Sequence, residues 1–464
     1  MSQTNNKEIL KSIPSVDKIL NWQEVKAFEK RVRSSYLTEI IRYKTDEFRQ
    51  KLLEGEALNI DNLKQMIVAE LNFITERYFA YAINALGIIL HTGLGRAPFA
   101  QGIDMILQDV GRAYSRLQID DEGKRDDRYK KISRLLQVLT GCEAGIIVNN
   151  NAGATLLVLS TIAKDREVIV SRGQLIEIGG SFRIPEIMAQ SGCIMREVGT
   201  TNRTHLKDYE QAINEKTGAI LRVHQSNYRI LGFTKDVPLE ELVALGKKYH
   251  IPVIDDLGSG ALIDFSKYGL PKEPMAQESI ATGADIVCFS GDKLIGGPQC
   301  GVIIGKKAYI ERIKKHPLTR ALRCDKLTNA VLEATLQKFL LPEEDLIKEH
   351  SVISLMLKPL KEIKAQASRL ARKLKKEYGL QLTIEVKPSY SEIGGGSLST
   401  EQLPTFVLAI KSKNLSAQDL AKRLRQYRPP IFGRVQADSL ILDFRTILKG
   451  EEKIILQAFR DILK

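Results

Sequence analysis

No apolar run in this chain approaches the ~18–20 residues that a membrane-crossing helix needs. The start, MSQTNNKEILKSIPSVDKIL, lacks a basic stretch followed by an apolar one. No secretory signal is visible there, and a cytoplasmic location is expected. Cysteine is sparse. The five residues Cys142, Cys193, Cys288, Cys300 and Cys324 are scattered and form no CxxC pair. That excludes a disulfide framework and predicts reduced thiols. The six histidines make no HExxH-like pattern, so no metal site is expected. Internal repeats and low-complexity segments are also missing, which removes solenoids and disordered scaffolds from consideration.

What is present is a long chain of mixed composition. Its 464 residues, 43% hydrophobic and 27% charged, suit two or three globular domains with a sizeable core. The formal charge of +13 favours a polyanionic partner, although a solvated basic surface gives the same number. The excess is unevenly placed. Residues 1–80 hold thirteen Lys/Arg against twelve Asp/Glu, whereas residues 301–380 hold eighteen against nine.

Residues 1–75 read as a helical module, with apolar positions recurring at three and four in ILKSIPSVDKIL and LKQMIVAELNFI and a break at Pro14. From about residue 83, short apolar runs closed by glycine alternate with longer helical stretches: AGIIVNNNAGATLLVLSTIA, EVIVSRG, AILRVHQSN, IPVIDDLGSG and ADIVCFSGDK. Such alternation predicts βα units and a largely parallel sheet, an α/β core over 76–330. Residues 331–464 read as a smaller α/β domain: a long Lys-rich helix, then LPTFVLAIK and DSLILDFRTI as strands of a mixed or antiparallel sheet.

Three elements carry chemistry. In ADIVCFSGDKLIGGPQCGVIIG an apolar strand delivers Ser290, Gly291, Asp292 and Lys293 into a glycine-rich turn. A lysine enclosed by small residues at a strand end can be desolvated into a nucleophilic amine able to form a Schiff base. A hairpin with a surface lysine fits the same residues equally well. In IPVIDDLGSG a strand ends in Asp255 and Asp256, either of which could meet a protonated pyridine nitrogen; an Asp-rich turn is the plainer alternative. In VNNNAGATLLVLSTIA the amides of Ala152, Gly153 and Ala154 open a helix and would favour a phosphate, with Thr155 adding a hydroxyl.

These elements lie within longer segments that resemble bacterial selenocysteine synthases, the L-seryl-tRNA(Sec) selenium transferases, along essentially the whole chain. The segments are INALGIILHTGLGRAP (83–98), VNNNAGA (148–154), SRGQLIEIGGSFRIPEIM (171–188) and VGTTNRTHLKDYEQAI (198–213). HQSNYRILGFT (224–234), DDLGSGALID (255–264), SGDKLIGGPQCGVIIGKK (290–307), HPLTRALRCDKLT (316–328) and RPPIFGRV (428–435) complete the set. The resemblance implies a fold-type I pyridoxal 5'-phosphate-dependent transferase: a mostly parallel seven-stranded sheet, a small C-terminal α/β domain and an N-terminal helical domain that binds tRNA.

It implies further that Lys293 carries the cofactor, that Asp292 acts beside it, and that Arg96, Arg320 and Arg323 bind selenophosphate. Guanidinium forks suit such an oxyanion. Thr200, Thr201 and Tyr228 sit in family motifs and are candidates for lining the same pocket. There is one departure: where the family carries a GxRGxR-like stretch, the chain reads Gly123-Lys124-Arg125-Asp126-Asp127-Arg128. Asp126 in place of glycine weakens the case for Arg125 more than for Arg128. The implied reaction, part of selenocysteine and protein biosynthesis, converts seryl-tRNA(Sec) to selenocysteyl-tRNA(Sec) through an aminoacrylyl-tRNA intermediate. The implied assembly is a dimer-based ring, a decamer, with active sites at dimer interfaces. A related lyase acting on a small amino acid or amino sugar is the nearest alternative; its shorter relatives lack the N-terminal module.

Overall fold

The computed structural model describes residues 2–178, 182–398 and 401–463. The chain forms two compact units, 1–81 and 82–464. In the first, helices Ser2–Ser12 and Val16–Leu20 flank the break at Pro14, and Gln23–Lys26, Ser34–Leu53 and Ile60–Thr75 follow. Leu37, Ile41, Phe48 and Leu52 on one helix and Leu63, Ile67 and Leu71 on another recur at helical spacing and form a core with Ile19 and Val25. Asn59 and Asn62 exchange side-chain-to-backbone bonds of 2.8 and 3.0 Å, a capping box that fixes the start of Ile60–Thr75.

The larger unit opens with a short strand, β1 (Ile83–Ala85). There follow β2 (Ala144–Val148), β3 (Glu167–Ser171), the two-residue strands β4 (Glu177–Ile178) and β5 (Phe182–Arg183), β6 (Ile194–Val198), β7 (Thr217–Val223), β8 (Val253–Gly258), β9 (Ile286–Ser290) and β10 (Gly301–Gly305). Seven of these make one sheet in the order β2-β10-β9-β8-β7-β3-β6. Only β10 runs antiparallel to its neighbours. Its pairing with β9, Ser290 opposite Gly301, makes residues 291–300 a hairpin connection, and Lys293 lies in it. Strands β2, β8, β9 and β10 are buried along their whole length, as expected for a sheet covered by helices on both faces.

The second sheet contains β11 (Leu382–Glu392), β12 (Gln402–Ser412), β13 (Ile431–Gln436) and β14 (Ser439–Asp443), in the order β1-β13-β14-β12-β11. Its other pairings are antiparallel, but β1 pairs parallel to β13. Residues 83–85, placed by sequence reasoning with the core over 76–330, therefore belong to the sheet of the C-terminal part. Three residues give too short a pattern to assign, and the partner strand lies far along the chain. The segment after β1 stays tied to this sheet: Glu392 N–H donates to Gly87, Ile89 N–H to Glu392 and Leu90 N–H to Ile393.

Asp443, fully buried at the end of β14, organises this junction. It accepts from Ser391 Oγ at 3.0 Å, Thr405 Oγ1 at 2.8 Å and Arg445 N–H at 3.0 Å. Arg445, itself buried, donates to the carbonyls of Leu355, Met356 and Pro404. Gly87 has φ +82, and a Cβ there would overlap Asp443 Oδ2. Gly87→Ala is therefore expected to destabilise the protein by about 3 kcal/mol or more, through left-handed strain plus displacement of a buried carboxylate. Denaturant unfolding measures it; a change within about 0.5 kcal/mol would show that Asp443 moves aside freely.

Candidate cofactor site

The site lies at the carboxyl ends of the parallel strands, where open α/β sheets hold ligands. Alternation along β8 sends Asp255 and Asp256 to opposite faces. Asp256 Oδ1 accepts from Asn151 Nδ2 at 2.8 Å and Gly258 N–H at 3.0 Å, and Oδ2 from Thr155 Oγ1 at 2.8 Å. Both side-chain donors come from the first turns of helix Asn151–Ile162, so that helix aims the carboxyl. Burial pushes the Asp256 carboxyl above its ordinary value, against the pull of these donors. Asp255 does not share the pocket: Arg222 Nη1 at 2.8 Å and Ser279 Oγ at 2.7 Å hold it on the other face.

Lys293 is 3% exposed, so the lysine lies buried in its hairpin rather than at the surface. Among the described residues no hydrogen bond or ion pair within 4 Å holds its amine. Burial first, then the Arg96 charge, pushes the amine below the usual lysine range, while Asp292, Asp256 and Glu273 oppose them. Asp292, 7% exposed, pairs with Arg96 Nη1 at 2.8 Å. Arg96 adopts φ +63, an uncommon conformation for a side-chain-bearing residue, held here by that pair and by its N–H bond to His91. Ser290 is buried at the end of β9.

The other candidates divide. Arg128, Arg320 and Arg323 line one cavity together with Gln118, Lys315 and His316. Burial first, then the Arg323 charge, lowers the Arg128 guanidinium's affinity for its proton, while Asp127, which also lines the cavity, acts against them. Arg96 lines a different cavity, so within one chain the three arginines expected to bind a single anion are not brought together. Asp126 pairs with Lys130, and Asp127 with Lys314. Thr200 is exposed and closes a turn with Arg203; Thr201 is exposed as well. Tyr228 Oη donates to the Gly173 carbonyl, which also accepts from Gln225 Nε2 at 2.6 Å. The Thr201 carbonyl abuts Gly173 as well, so Tyr228 and Thr201 meet around that glycine. The motif over 171–188 includes residues 179–181, which lie outside the described residues.

At the helix start, the Gly153 N–H is taken by the Asn150 side chain at 2.8 Å and the Ala154 N–H by the Asn150 carbonyl at 3.0 Å. Among the described residues, of the three amides expected to hold a phosphate only that of Ala152 has neither a carbonyl nor a cap side chain as its partner. Asparagine directly before the helix was the readable cap signal.

The residues fit pyridoxal phosphate. Beside the amine and the carboxyl stand buried polar atoms with no partner: Asn151 Oδ1, Ser226 Oγ, Asn227 Oδ1 and Ser397 Oγ. Glycines keep space open among them. A Cβ on Gly258 would come within 3.2 Å of Ser226 Oγ, and one on Gly396 within 4.0 Å of Lys293 Nζ. Gly396, arriving from the connection between β11 and β12, was not foreseen, nor were Asn151, Ser226 and Asn227. His224 and Glu273 were missed too; their side chains approach to 3.5 Å, and Ser259 Oγ donates to Glu273 at 3.1 Å. The HQSN run at 224–227 was the available signal.

Residues 82–448 match the family model described as L-seryl-tRNA selenium transferase. The L-seryl-tRNA(Sec) selenium transferase of Alkaliphilus oremlandii (strain OhILAs) is 46% identical over 99% of this chain and 100% of its own length. That of Carboxydothermus hydrogenoformans is 45% identical over 96% of each chain. Among solved structures, D-glucosaminate-6-phosphate ammonia-lyase superposes with a TM-score of 0.55 at 20% identity, covering 82% of this chain and 95% of that one. This last likeness carries the fold alone.

Asp256→Asn tests the burial of the carboxyl. A native value raised above the ordinary 3.8 means that Asp256 favours folding at low pH and that this contribution is lost as pH rises through the native value. At neutral pH the ionised group opposes folding. The Asn variant, prepared without cofactor, is expected to be more stable at pH 7.5 by on the order of 1 kcal/mol, read by thermal unfolding. A drop of that size would instead mean that the three donors outweigh desolvation.

Proposed function

The chain belongs to the L-seryl-tRNA selenium transferase family, and from that premise we propose how its residues divide the work. It is a pyridoxal 5'-phosphate-dependent transferase that converts L-seryl-tRNA(Sec) to L-selenocysteyl-tRNA(Sec), with selenophosphate as donor. The observation that carries the assignment of roles is a buried, unpaired lysine amine enclosed with a donor-fixed carboxyl, beside a separate cluster of arginines.

Bound pyridoxal phosphate supplies the electron sink that makes the seryl α-proton acidic and lets the β-oxygen depart. Asp256, held by Asn151 and Thr155, would meet the pyridine nitrogen, and a cation placed there would keep it ionised against the pull of burial. Asp255, spent on Arg222 and Ser279, takes no part. Lys293 would hold the cofactor covalently, and its burial, which disfavours the charged form, suits its amine to move the α-proton. Ala152 offers its amide to the cofactor phosphate, and Ser290 lines the pocket. Asp292 and Arg96 form the polar wall beside Lys293.

Arg128, Arg320 and Arg323 bind the selenophosphate oxygens; the seryl hydroxyl departs as water, selenium joins the β-carbon it leaves, and a water molecule takes the phosphoryl group from selenium and carries it off as phosphate. Their cavity and that of Arg96 are distinct within one chain, which supports a donor site completed between two copies. The exposed side chains of Phe99, Met105, Tyr114 and Ile119 are apolar surface that a dimer would cover. A ring built from such dimers, binding of tRNA by residues 1–81, and a cytoplasmic location belong to the same reading. No helix among the described residues is long and apolar enough to cross a membrane.

Incubation with serylated tRNA(Sec) and selenophosphate, followed by identification of the esterified amino acid, tests the assignment. Selenocysteine is expected with wild type and none with Lys293→Ala; free serine is expected to be inert. Elimination from a free amino acid or amino sugar, with seryl-tRNA untouched, would favour a small-molecule lyase. Arg323→Ala is expected to raise the KM for selenophosphate about tenfold or more while cofactor absorbance is unchanged. With selenophosphate held well below the raised KM, co-assembly of Lys293→Ala with Arg323→Ala chains is expected to give more activity than the two give separately. Absence of that gain would place the whole donor site in one chain.

A further inference from the structure

A histidine that the proposed chemistry leaves unused grips the Lys293 turn from outside the pocket. His350 is fully buried. Its Nδ1 accepts the Ile353 N–H at 3.3 Å, capping helix Ser351–Met356, and its Nε2 lies 2.8 Å from the Ile295 carbonyl, two residues beyond Lys293. A carbonyl only accepts, so Nε2 carries the hydrogen and the ring is neutral with both nitrogens engaged. Burial holds it so, pushing its pKa down to about 4. Phe339 packs edge-on at 5.0 Å.

The turn is shaped to this ring. Gly296 has φ +69, and a Cβ there would overlap the imidazole. Inside the turn, Gly296 N–H donates to Lys293 at 2.9 Å and Gly297 N–H to Gly291 at 2.8 Å. The far end of the helix that His350 caps is held by Arg445, through Leu355 and Met356. A continuous strut therefore runs from the buried Asp443 junction to the backbone carrying Lys293.

We propose that His350 is a positioning residue for the cofactor lysine: donating Nε2–H to Ile295 while its ring fills the space beside Gly296, it fixes the backbone frame from which Lys293 enters the site. This rests on Lys293 being the residue that binds pyridoxal phosphate. A merely structural histidine would cap the helix and fill the core without touching the behaviour of the lysine.

His350→Asn and His350→Gln separate the two roles. Asparagine retains an acceptor near the Nδ1 position for Ile353 but falls short of Ile295. Glutamine reaches toward Ile295 as Nε2 does and leaves Ile353 uncapped. Holoenzymes of both, with wild type and Lys293→Ala, are compared by cofactor dissociation constant, by the pH midpoint of the lysine-bound cofactor's visible absorbance, and by melting temperature. The Asn variant is expected to bind cofactor about tenfold more weakly, the equivalent of one lost hydrogen bond, with a shifted midpoint. The Gln variant is expected to keep both near wild type even if it melts earlier. A wild-type affinity and midpoint in the Asn variant would overturn the proposal, as would losses in both variants that track melting temperature alone. If the Asn variant does not fold, His350→Leu, which fills the space without a donor, takes its place beside the Gln variant: a weakened affinity and shifted midpoint in Leu but not in Gln support the role, and wild-type values in Leu refute it. Lys293→Ala keeps the outcomes apart, because a band that persists without Lys293 defeats the reading of that lysine rather than of His350.

Discussion

A lysine amine held out of water without a bonded partner is unfavourable, and much of the larger unit is arranged to sustain it. Charge on a buried amine is opposed by desolvation, so Lys293 stays put only because its backbone has no cheaper alternative. The hairpin between β9 and β10 supplies one constraint, through Gly291 and Gly297; His350 supplies a second, through Ile295. The connection between β11 and β12 supplies a third by bringing Gly396 over the amine. Two of the three originate beyond residue 330, so the buried amine of the first sheet is held in place by the part of the chain built on the second.

That dependence gives the five-stranded sheet a role beyond packing. Asp443 and Arg445 form a buried polar knot whose partners come from residues 355–356, 391 and 404–405. Gly87 is pressed against the same carboxylate, and the segment that continues from it reaches Arg96 and hence Asp292. Buried polar groups of this kind tolerate only the arrangement that satisfies every member. The knot therefore specifies where both flanks of the Lys293 site are placed, which a purely apolar junction of equal area would do less sharply.

The sequence was most legible where its signals are local. Apolar runs closed by glycine marked β2, β8 and β9, and the break at Pro14 falls between two helices. It was least legible where meaning depends on what arrives from elsewhere. DD at 255–256 announces two carboxyls on opposite faces, but only the sheet order shows which face receives helix Asn151–Ile162. SGDK at 290–293 is a hairpin lysine by local pattern, and its burial is decided by residues a hundred positions later. The strand at 83–85 has its partner near residue 431, a pairing with no local trace. At the helix start after β2 the small residues suggest three open amides, and the Asn150 side chain, one position earlier, closes one of them.

The charge of the chain was informative only after pairing was known. Within the basic stretch 301–380, Lys306 is spent on Asp285, Lys314 on Asp127 and Glu311, and Lys338 on Glu349. Surface pairs of this kind add little stability, but they remove cations from the pool available to an anionic partner. Among the described residues Arg320 and Arg323 form no ion pair of this kind; they share their cavity with Arg128, whose proton affinity is lowered by burial and by Arg323, and with Asp127, already paired with Lys314. Guanidinium groups that outnumber the carboxylates around them are the electrostatic mark of a site suited to an anion. The useful signal was therefore not the net +13 but the few guanidinium groups that the fold gathers around a single carboxylate already paired with Lys314.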